Sequence, residues 1–145
     1  MMDNSISFDT MIIYMVVLSI IAGYYSMTIV NTKNNTFNLN KIYQAILMGI
    51  IMALIMYTMD SPKNHYITLI ILFIIGLSIV LAIRNQYGIN DVQFLKGMIE
   101  HHQMAIEMSE KLLKKTTDPE MIKLCNNIIK SQNSEIKWMK QKLKS

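Results

Sequence analysis

Three long apolar runs without charge dominate the first half of this chain, and they restrict the folds open to it. The runs cover Met11–Val30, Ile42–Met59 and Tyr66–Ile83, and none of them contains Asp, Glu, Lys, Arg or His. An α-helix rises about 1.5 Å per residue, so each run is about long enough to cross a hydrocarbon core of about 30 Å. The connections at 31–41 and 60–65 are short and polar, and we expect turns at the bilayer surface. The sequence therefore predicts three transmembrane helices, at about 11–30, 42–59 and 66–83.

Small residues recur at helix-packing spacing in the first two runs. Ala45, Gly49 and Ala53 are four residues apart in the second run, and Ser19 and Gly23 are four apart in the first. Small side chains at this spacing let the backbones of membrane helices approach closely. We therefore expect close contacts between helices at these positions.

Charge is concentrated in the second half of the chain. Only three of the fourteen Lys/Arg residues precede Arg84, so the net charge of +4 resides mostly in the C-terminal part. As far as Glu135 the lysines there alternate with glutamates, and Trp138 is the single aromatic residue among them, too few to form a stacking platform for bases. We expect a membrane domain at 1–84 and a polar domain at 85–145 whose lysines lie on a solvated helix face. Nucleic acid is not an expected partner.

Two helical patterns follow one another in the polar domain. Asn90 or Asp91 is a good N-cap for the first pattern. The interruption at 116–120 starts the second, with Asp118 as N-cap and Pro119 at the first helical position. Two helices of about 25 residues joined by a short turn form an antiparallel hairpin. The sequence thus predicts an all-α protein, with three transmembrane helices before a two-helix hairpin.

The first hairpin helix has one apolar and one polar face at about 100° per residue. His102 lies near the middle of the apolar face and His101 at its edge. We expect the carboxylates of the polar face to point to solvent. The apolar face comprises Phe94, Leu95, Met98, Ile99, His102, Ala105, Ile106, Ser109, Leu112 and Leu113, and the polar face comprises Lys96, Glu100, Gln103, Glu107, Glu110, Lys111 and Lys114.

The stretch 98–108 holds two of the three histidines and three of the fourteen methionines of the chain. Thioether and imidazole together suit copper(I) and suit magnesium or calcium poorly. One interpretation is therefore a metal site for copper(I) or silver(I). The candidate ligands from this stretch are Met98, His101, His102, Met104 and Met108.

A second interpretation needs no metal. Gln132 interrupts the apolar stripe of the second hairpin helix, as His102 interrupts that of the first. A buried polar group costs roughly 1–3 kcal/mol unless it is hydrogen-bonded. A His102–Gln132 hydrogen bond would satisfy both residues and fix the register of the hairpin. In that case the protein would be a structural or interaction protein.

Other metal and catalytic chemistries find little support. Carboxylate-bridged di-iron bundles use Glu-x-x-His, whereas Glu100 is followed three residues later by Gln103 and Glu107 by Glu110. Cys125 is the only cysteine, and it falls within an apolar stripe on a different helix from His101 and His102. Nothing indicates an oxyanion hole, so we do not expect an enzyme.

Two spaced blocks of residues stand out in the hairpin, within about Asp91–Leu143. The first block comprises Asp91, Phe94, Met98, Ile99, His101, His102, Gln103, Ala105 and Met108, and the second comprises Ile128, Gln132, Glu135, Ile136 and Met139. In these two blocks the hairpin resembles the family with domain of unknown function 305. That family is described as ferritin-like helical bundles, and some members are implicated in copper binding in the bacterial envelope. The whole chain is similar to a membrane-anchored subset with three spans before one hairpin.

The resemblance implies a ligand set, but the chain also departs from the family. It implies Met98, His101, His102 and Met108 as ligands of copper(I), with Met139 facing them and Gln132 behind them; Met104 is added from local chemistry. Glu100 stands where many relatives have proline, and the His- and Met-rich tails of many copper-binding members are lacking. Relatives with two hairpins can close a four-helix bundle alone. A single hairpin leaves its seam exposed, so we expect a homodimer.

The side of the membrane on which the hairpin lies follows from the count of basic residues. With three spans, the first connection and the hairpin share a side. Near the membrane that side holds Lys33, Lys41, Arg84 and Lys96, against Lys63 on the other. The positive-inside rule then predicts a multi-pass membrane protein with a cytoplasmic hairpin, whereas the envelope copper proteins of the family imply the reverse.

Overall fold

All regular secondary structure among the described residues is α-helical. A computed structural model describes residues 7–31, 33–60 and 62–145, and no strand occurs among them. The predicted all-α fold, with three apolar helices before a hairpin, is confirmed. Part of each predicted turn, residue 32 in the first and residue 61 in the second, lies outside the described residues. The described helices are α1 (Phe8–Val30), α2 (Leu39–Asp60), α3 (Pro62–Arg84), α4 (Asp91–Leu113) and α5 (Pro119–Lys142).

The first three helices are each long and apolar enough to cross a membrane. The qualifying stretches are Phe8–Ser26, Leu39–Met59 and His65–Arg84. Many of their large apolar side chains face outward, Ile13 and Phe73 among them, each 63% exposed. An outward apolar surface of this extent suits a surrounding of lipid chains rather than water.

The contacts of the chain group it into two compact units. The first unit comprises the described residues up to Tyr25 together with Asn40–Gly88. The second unit joins Ser26–Leu39 to Ile89–Ser145. The connection between α1 and α2 (residues 31–38) is therefore part of the same unit as the α4–α5 hairpin.

Small residues bring α1 and α2 together within the first unit. Gly23 and Gly49 are buried, and a Cβ atom built on Gly49 would lie 2.6 Å from Ile20 Cγ1. A Cβ on Gly23 would lie 3.1 Å from the Ala45 Cα. Ala45 and Ala53 are also buried. The predicted close approach of the two helices is thus present, and it depends on the absence of a side chain at Gly49.

The hairpin is capped as the sequence indicates and closes around a small apolar core. The Asn90 side chain accepts a hydrogen bond from the Gln93 N–H, and the Asp118 side chain accepts one from the Glu120 N–H just before Pro119. Cys125 is buried on the inner side of α5. The buried core consists of Leu95, Ile99, Ile106, Ile136 and Met139, with Met98, Ile129 and Leu143 packed against it.

Candidate functional site

An open cavity of about 260 Å³ lies between α4 and α5. Three predicted metal ligands line it together: Met98 and His102 from α4, and Met139 from α5. The other lining residues are Phe94, Leu95, Glu135 and Trp138.

Helical spacing explains why these residues meet. Positions four apart lie above one another on a helix, so Met98 and His102 project from the same side of α4. Glu135 and Met139 are likewise four apart on α5. Because the hairpin is antiparallel, the last turns of α5 lie beside the first turns of α4. The cavity therefore brings sulfur, imidazole and carboxylate groups to one place.

The imidazole of His102 is the central polar group of the cavity. Its side chain is 13% exposed, and Nδ1 lies 3.2 Å from Glu135 Oε2. This is an ion-pair distance, but no hydrogen bond of good geometry forms at Nδ1, which is itself buried. His102 thus has a carboxylate beside Nδ1, but among the described residues this nitrogen makes no hydrogen bond.

The predicted hydrogen bond between His102 and Gln132 is wrong. Gln132 Oε1 is buried and has no hydrogen-bond partner among the described residues, and the same is true of His102 Nδ1. The carboxylate that approaches His102 belongs to Glu135, one turn further along α5. Helix register explains the difference, since Glu135 lies at the level of His102 across the antiparallel pair. The sequence placed Glu135 next to Gln132 but did not identify it as the partner.

The structure does not bring the remaining predicted ligands into this cavity. His101 is exposed and Met108 is 55% exposed, while Met104 is half-buried. None of the three lines the cavity. At about 100° per residue, His101 and Met108 project from α4 well to one side of His102. They lie at the outer edge of the apolar face, as the helical wheel indicates.

The side chains that line the cavity include two thioethers, one imidazole and one carboxylate. Within the described ranges, no three or more His, Cys, Asp or Glu side chains are grouped so that they could hold a metal. Two thioethers and one imidazole are nonetheless a set that copper(I) accepts.

The polar face of α4 departs most from expectation. Glu100, Gln103 and Glu107 were expected to face solvent, but they are only 2%, 6% and 5% exposed. That expectation is wrong because residues 31 and 33–38 pack along this side of α4. Glu110, beyond the reach of the connection, is exposed as predicted.

Amide and hydroxyl groups of the connection satisfy the carboxylate of Glu100. Asn38 Nδ2 donates a hydrogen bond to Glu100 Oε2 over 3.1 Å, and the Thr36 hydroxyl lies 3.4 Å from the same oxygen. The Thr36 hydroxyl also donates to the Lys96 carbonyl over 2.8 Å, and Asn31 Nδ2 donates to the Glu100 carbonyl over 3.2 Å. Asn31 is completely buried. These bonds hold both ends of the connection against the first half of α4.

A second group of hydrogen bonds surrounds Glu107. Its Oε1 accepts from the backbone N–H of Lys33 over 3.2 Å and from Gln103 Nε2 over 3.0 Å. Gln103 Oε1 in turn accepts from Asn34 Nδ2 over 2.7 Å. Because donors meet each of these acceptors, the polar residues of α4 can be buried without large cost.

The composition of the connection is the sequence feature that indicates this arrangement. Four of the eight residues 31–38 are asparagine. Asparagine supplies both donors and acceptors from a short side chain, and it can therefore pair with glutamate and glutamine on a neighbouring helix. An asparagine-rich connection next to a helix whose polar face repeats Glu and Gln is the pattern that could have indicated the contact.

A known viral protein is similar to this chain over most of its length. The Acanthamoeba polyphaga mimivirus protein named "Uncharacterized protein L153" is 41% identical over 140 residues, which cover 90% of each sequence. A family model for the domain of unknown function DUF305 matches residues 82–143, which contain α4 and α5. No solved structure matches the chain. The paired histidines, the cavity and the hairpin all fall within the matched segment, and the chain belongs to the DUF305 family.

Proposed function

We propose that the protein is a membrane-anchored metal-binding protein that holds copper(I) or silver(I) at the hairpin. The observation that carries the proposal is that Met98, His102 and Met139 line one cavity, although they come from two helices. The proposed set of three ligands is smaller than the set of six that the sequence indicates. His101, Met104 and Met108 are not part of this proposed site.

Each residue of the cavity has a defined part in the proposal. The sulfur atoms of Met98 and Met139 and one ring nitrogen of His102 would hold the ion, because soft ions prefer thioether and imidazole donors. Glu135 would orient the imidazole, since a ligating histidine commonly has a carboxylate at its other nitrogen. Phe94 and Trp138 would limit the access of water from the open side. The proposal is one of binding rather than catalysis.

A competitive titration tests this proposal. Full-length protein in detergent is titrated with copper(I) against a chromogenic chelator, for the wild type, Met98→Leu and His102→Ala. We expect each variant to lose at least about tenfold in affinity, as second-sphere changes alone cost 10- to 100-fold. Met108→Leu and His101→Ala are the matched controls, because both residues are exposed. Equal affinity in wild type and His102→Ala would reject the proposal.

A second candidate function is dimerisation of the hairpin without metal. α5 covers only part of the apolar face of α4, since Phe94, Met108 and Leu112 remain 51%, 55% and 37% exposed. Leu124 and Trp138 of α5 are 50% and 60% exposed. A second copy could cover this surface and complete a four-helix bundle.

The two candidates predict different oligomeric behaviour. If the hairpin only dimerises, Met108→Ser/Leu112→Ser converts the dimer to a monomer in metal-free buffer, as followed by sedimentation in matched detergent. Glu110→Ser/Lys114→Ser changes exposed polar positions of the same helix and serves as the control. A wild-type chain that is monomeric at all accessible concentrations contradicts dimerisation. Copper affinity measured in the same samples separates the two functions.

The membrane arrangement is part of the proposal. Three crossings by α1, α2 and α3 place the α1–α2 connection on the same side as the hairpin. The hydrogen bonds between that connection and α4 support this arrangement, because two segments that bond to each other must share a side. The distribution of basic residues favours the cytoplasmic side for both.

A further inference from the structure

The cavity of the hairpin has a buried floor and an exposed rim. Leu95 and Met139, which form the floor, are 8% and 5% exposed. At the rim, Phe94 and Trp138 are 51% and 60% exposed, and the side chain of Glu135 is 52% exposed. Two aromatic rings and one carboxylate therefore surround the open side of the cavity.

Helical spacing places Trp138 beside the donor atoms without filling the space between them. Trp138 is three residues after Glu135 on α5, and residues at this spacing share a side of a helix. Trp138 also directly precedes Met139, but successive positions differ by about 100° around the helix axis. Met139 consequently points inward while the indole of Trp138 lies at the rim.

The three proposed ligands leave both a charge and an open side. The thioethers of Met98 and Met139 and the imidazole of His102 are neutral donors, so a bound copper(I) or silver(I) ion keeps its positive charge. The carboxylate of Glu135 lies 3.2 Å from His102 Nδ1, where it faces the imidazole. A group at the rim that attracts a cation without being a fourth donor would complete the site.

An indole ring has this property. The face of an aromatic ring is electron-rich, and a cation within about 6 Å of the ring centroid is attracted to it, most strongly when the ring is that of tryptophan. Phe94 also lies at the rim, but a phenyl ring attracts a cation more weakly than an indole does. Trp138 is therefore the rim residue best suited to meet the ion.

We infer that Trp138 is a further binding residue of the proposed metal site, and that its indole face contacts the ion on the side that Met98, His102 and Met139 leave open. The inference rests on the proposed function and deepens it. An indole in this place keeps out water, whose hard oxygen is a poor ligand for a soft ion. It also disfavours zinc, which takes a fourth donor atom.

The emission of Trp138 measures the contact directly, because the chain has a single tryptophan. Full-length protein in detergent is titrated with silver(I), which needs no reductant, and tryptophan is excited where tyrosine does not absorb. A heavy ion against an indole quenches its excited state. We expect the emission to fall and to saturate at one silver per chain in wild type, and to stay constant over this range in His102→Ala.

A relocated tryptophan is the matched control. Leu124 is 50% exposed on the same helix, fourteen residues and about 20 Å from Trp138. In Leu124→Trp/Trp138→Leu the reporter is kept but lies away from the cavity. Its emission should not change when one silver per chain is added.

Substitutions at Trp138 separate the attraction of the ring from its bulk. Trp138→Leu keeps an apolar side chain and should lose roughly 2- to 30-fold in silver(I) affinity, whereas Trp138→Phe should lose less. Trp138→His supplies a fourth nitrogen and should raise the affinity for zinc relative to that for silver. The position is exposed, so we expect all three variants to fold, and circular dichroism checks their helix content.

The outcomes distinguish this inference from the proposed function. Wild type that shows no His102-dependent silver(I) binding in equilibrium dialysis rejects both. Binding that depends on His102 but leaves the emission of Trp138 unchanged, or that is equally tight in Trp138→Leu, overturns the inference alone. Equal quenching of the relocated tryptophan also overturns it. So does an emission maximum that shifts on dilution in metal-free buffer, since a second copy of the hairpin would then cover the ring.

Discussion

Asn38 Nδ2 donates a hydrogen bond to Glu100 Oε2 over 3.1 Å, and both residues are almost completely buried. The bond joins residues that are 62 positions apart in sequence. It fastens the short connection that follows α1 to the middle of α4. The hairpin therefore does not stand alone in its unit, because the connection covers the polar face of α4 at Glu100 and Glu107.

Removal of the Asn38 amide should loosen the connection. Asn38→Ala leaves a buried carboxylate oxygen of Glu100 without this donor, which costs about 1–3 kcal/mol. The backbone N–H groups of Lys33 and Leu39 are bonded to α4 side chains. We expect their hydrogen exchange to accelerate roughly 5- to 150-fold, the factor that this cost implies.

The control for Asn38→Ala is Asn127→Ala, on the exposed side of α5. It removes the same amide group from the surface and should leave exchange in the connection unchanged. Exchange rates that are the same in wild type and Asn38→Ala would contradict the buried contact.

The carboxylate beside His102 should influence the proposed metal site. Glu135→Gln keeps the shape of the side chain but removes its charge. Because second-sphere carboxylates commonly contribute 10- to 100-fold to metal affinity, we expect a decrease of about that size in copper(I) affinity. Glu110→Gln, at an exposed position of α4, makes the same chemical change and should leave the affinity unaltered. Competition titration compares the two, and equal affinities in both variants would exclude a role for Glu135.

Replacement of Gly49 and of Gly97 by alanine should have different effects on the stability of the protein. In Gly49→Ala the new Cβ would lie 2.6 Å from Ile20 Cγ1, so α1 or α2 must shift, at a cost of about 1–3 kcal/mol. In Gly97→Ala the Cβ would lie 3.8 Å from Asn38 Cγ, an ordinary contact. Alanine is favoured over glycine inside a helix by roughly 0.5–1 kcal/mol.

Thermal unfolding in one detergent should therefore show a lower midpoint for Gly49→Ala and an equal or higher midpoint for Gly97→Ala. If the two variants had the same midpoint, α1 and α2 would not pack as closely as Gly49 and Ile20 indicate.

Labelling of introduced cysteines should place the connection and the hairpin on one side of the membrane. Lys33→Cys in the connection and Lys130→Cys on α5 are at exposed positions. Met59 is 77% exposed at the other end of α2. In sealed vesicles of one orientation, an impermeant maleimide should modify the first two variants together and Met59→Cys only after permeabilisation. The wild-type chain is the unreactive control, because its single cysteine is buried. Modification of Lys33→Cys and Lys130→Cys from opposite sides would contradict the three-span arrangement.

The helices could be predicted from local properties of the sequence. The length of the apolar runs without charged residues predicts α1, α2 and α3. The N-caps Asn90 and Asp118 mark the starts of α4 and α5. Each of these signals depends on residues a few positions apart. The structure agrees with them because tertiary contacts do not oppose the local preference.

The site could be predicted only in part. Spacing along α4 correctly puts Met98 and His102 on one side, but it does not tell which residue of α5 lies opposite. A shift of α5 by three positions places Glu135 rather than Gln132 opposite His102. Apolar residues are so frequent on both helices that the hydrophobic pattern excludes neither register. The register of the hairpin is a property of side-chain packing, which the pattern alone does not encode.

The burial of Glu100 and Glu107 could not be deduced from amphipathicity. A helical wheel assigns charged residues to solvent because it considers one helix without its neighbours. Here the neighbour is a stretch without regular structure, and it covers the carboxylates with its own amide groups. Such pairing between a connection and a helix leaves no periodic trace in either segment.

The burial of Cys125 has a consequence for any soft ion held at the proposed site. Thiolate binds copper(I) more strongly than thioether does, yet the folded chain keeps its one thiol inside, fourteen positions and about 20 Å along α5 from Met139. Ions at the cavity would therefore stay on weaker, exchangeable ligands. Melting of α5 would release the thiol, which would then compete for the ion and trap it in the unfolded chain.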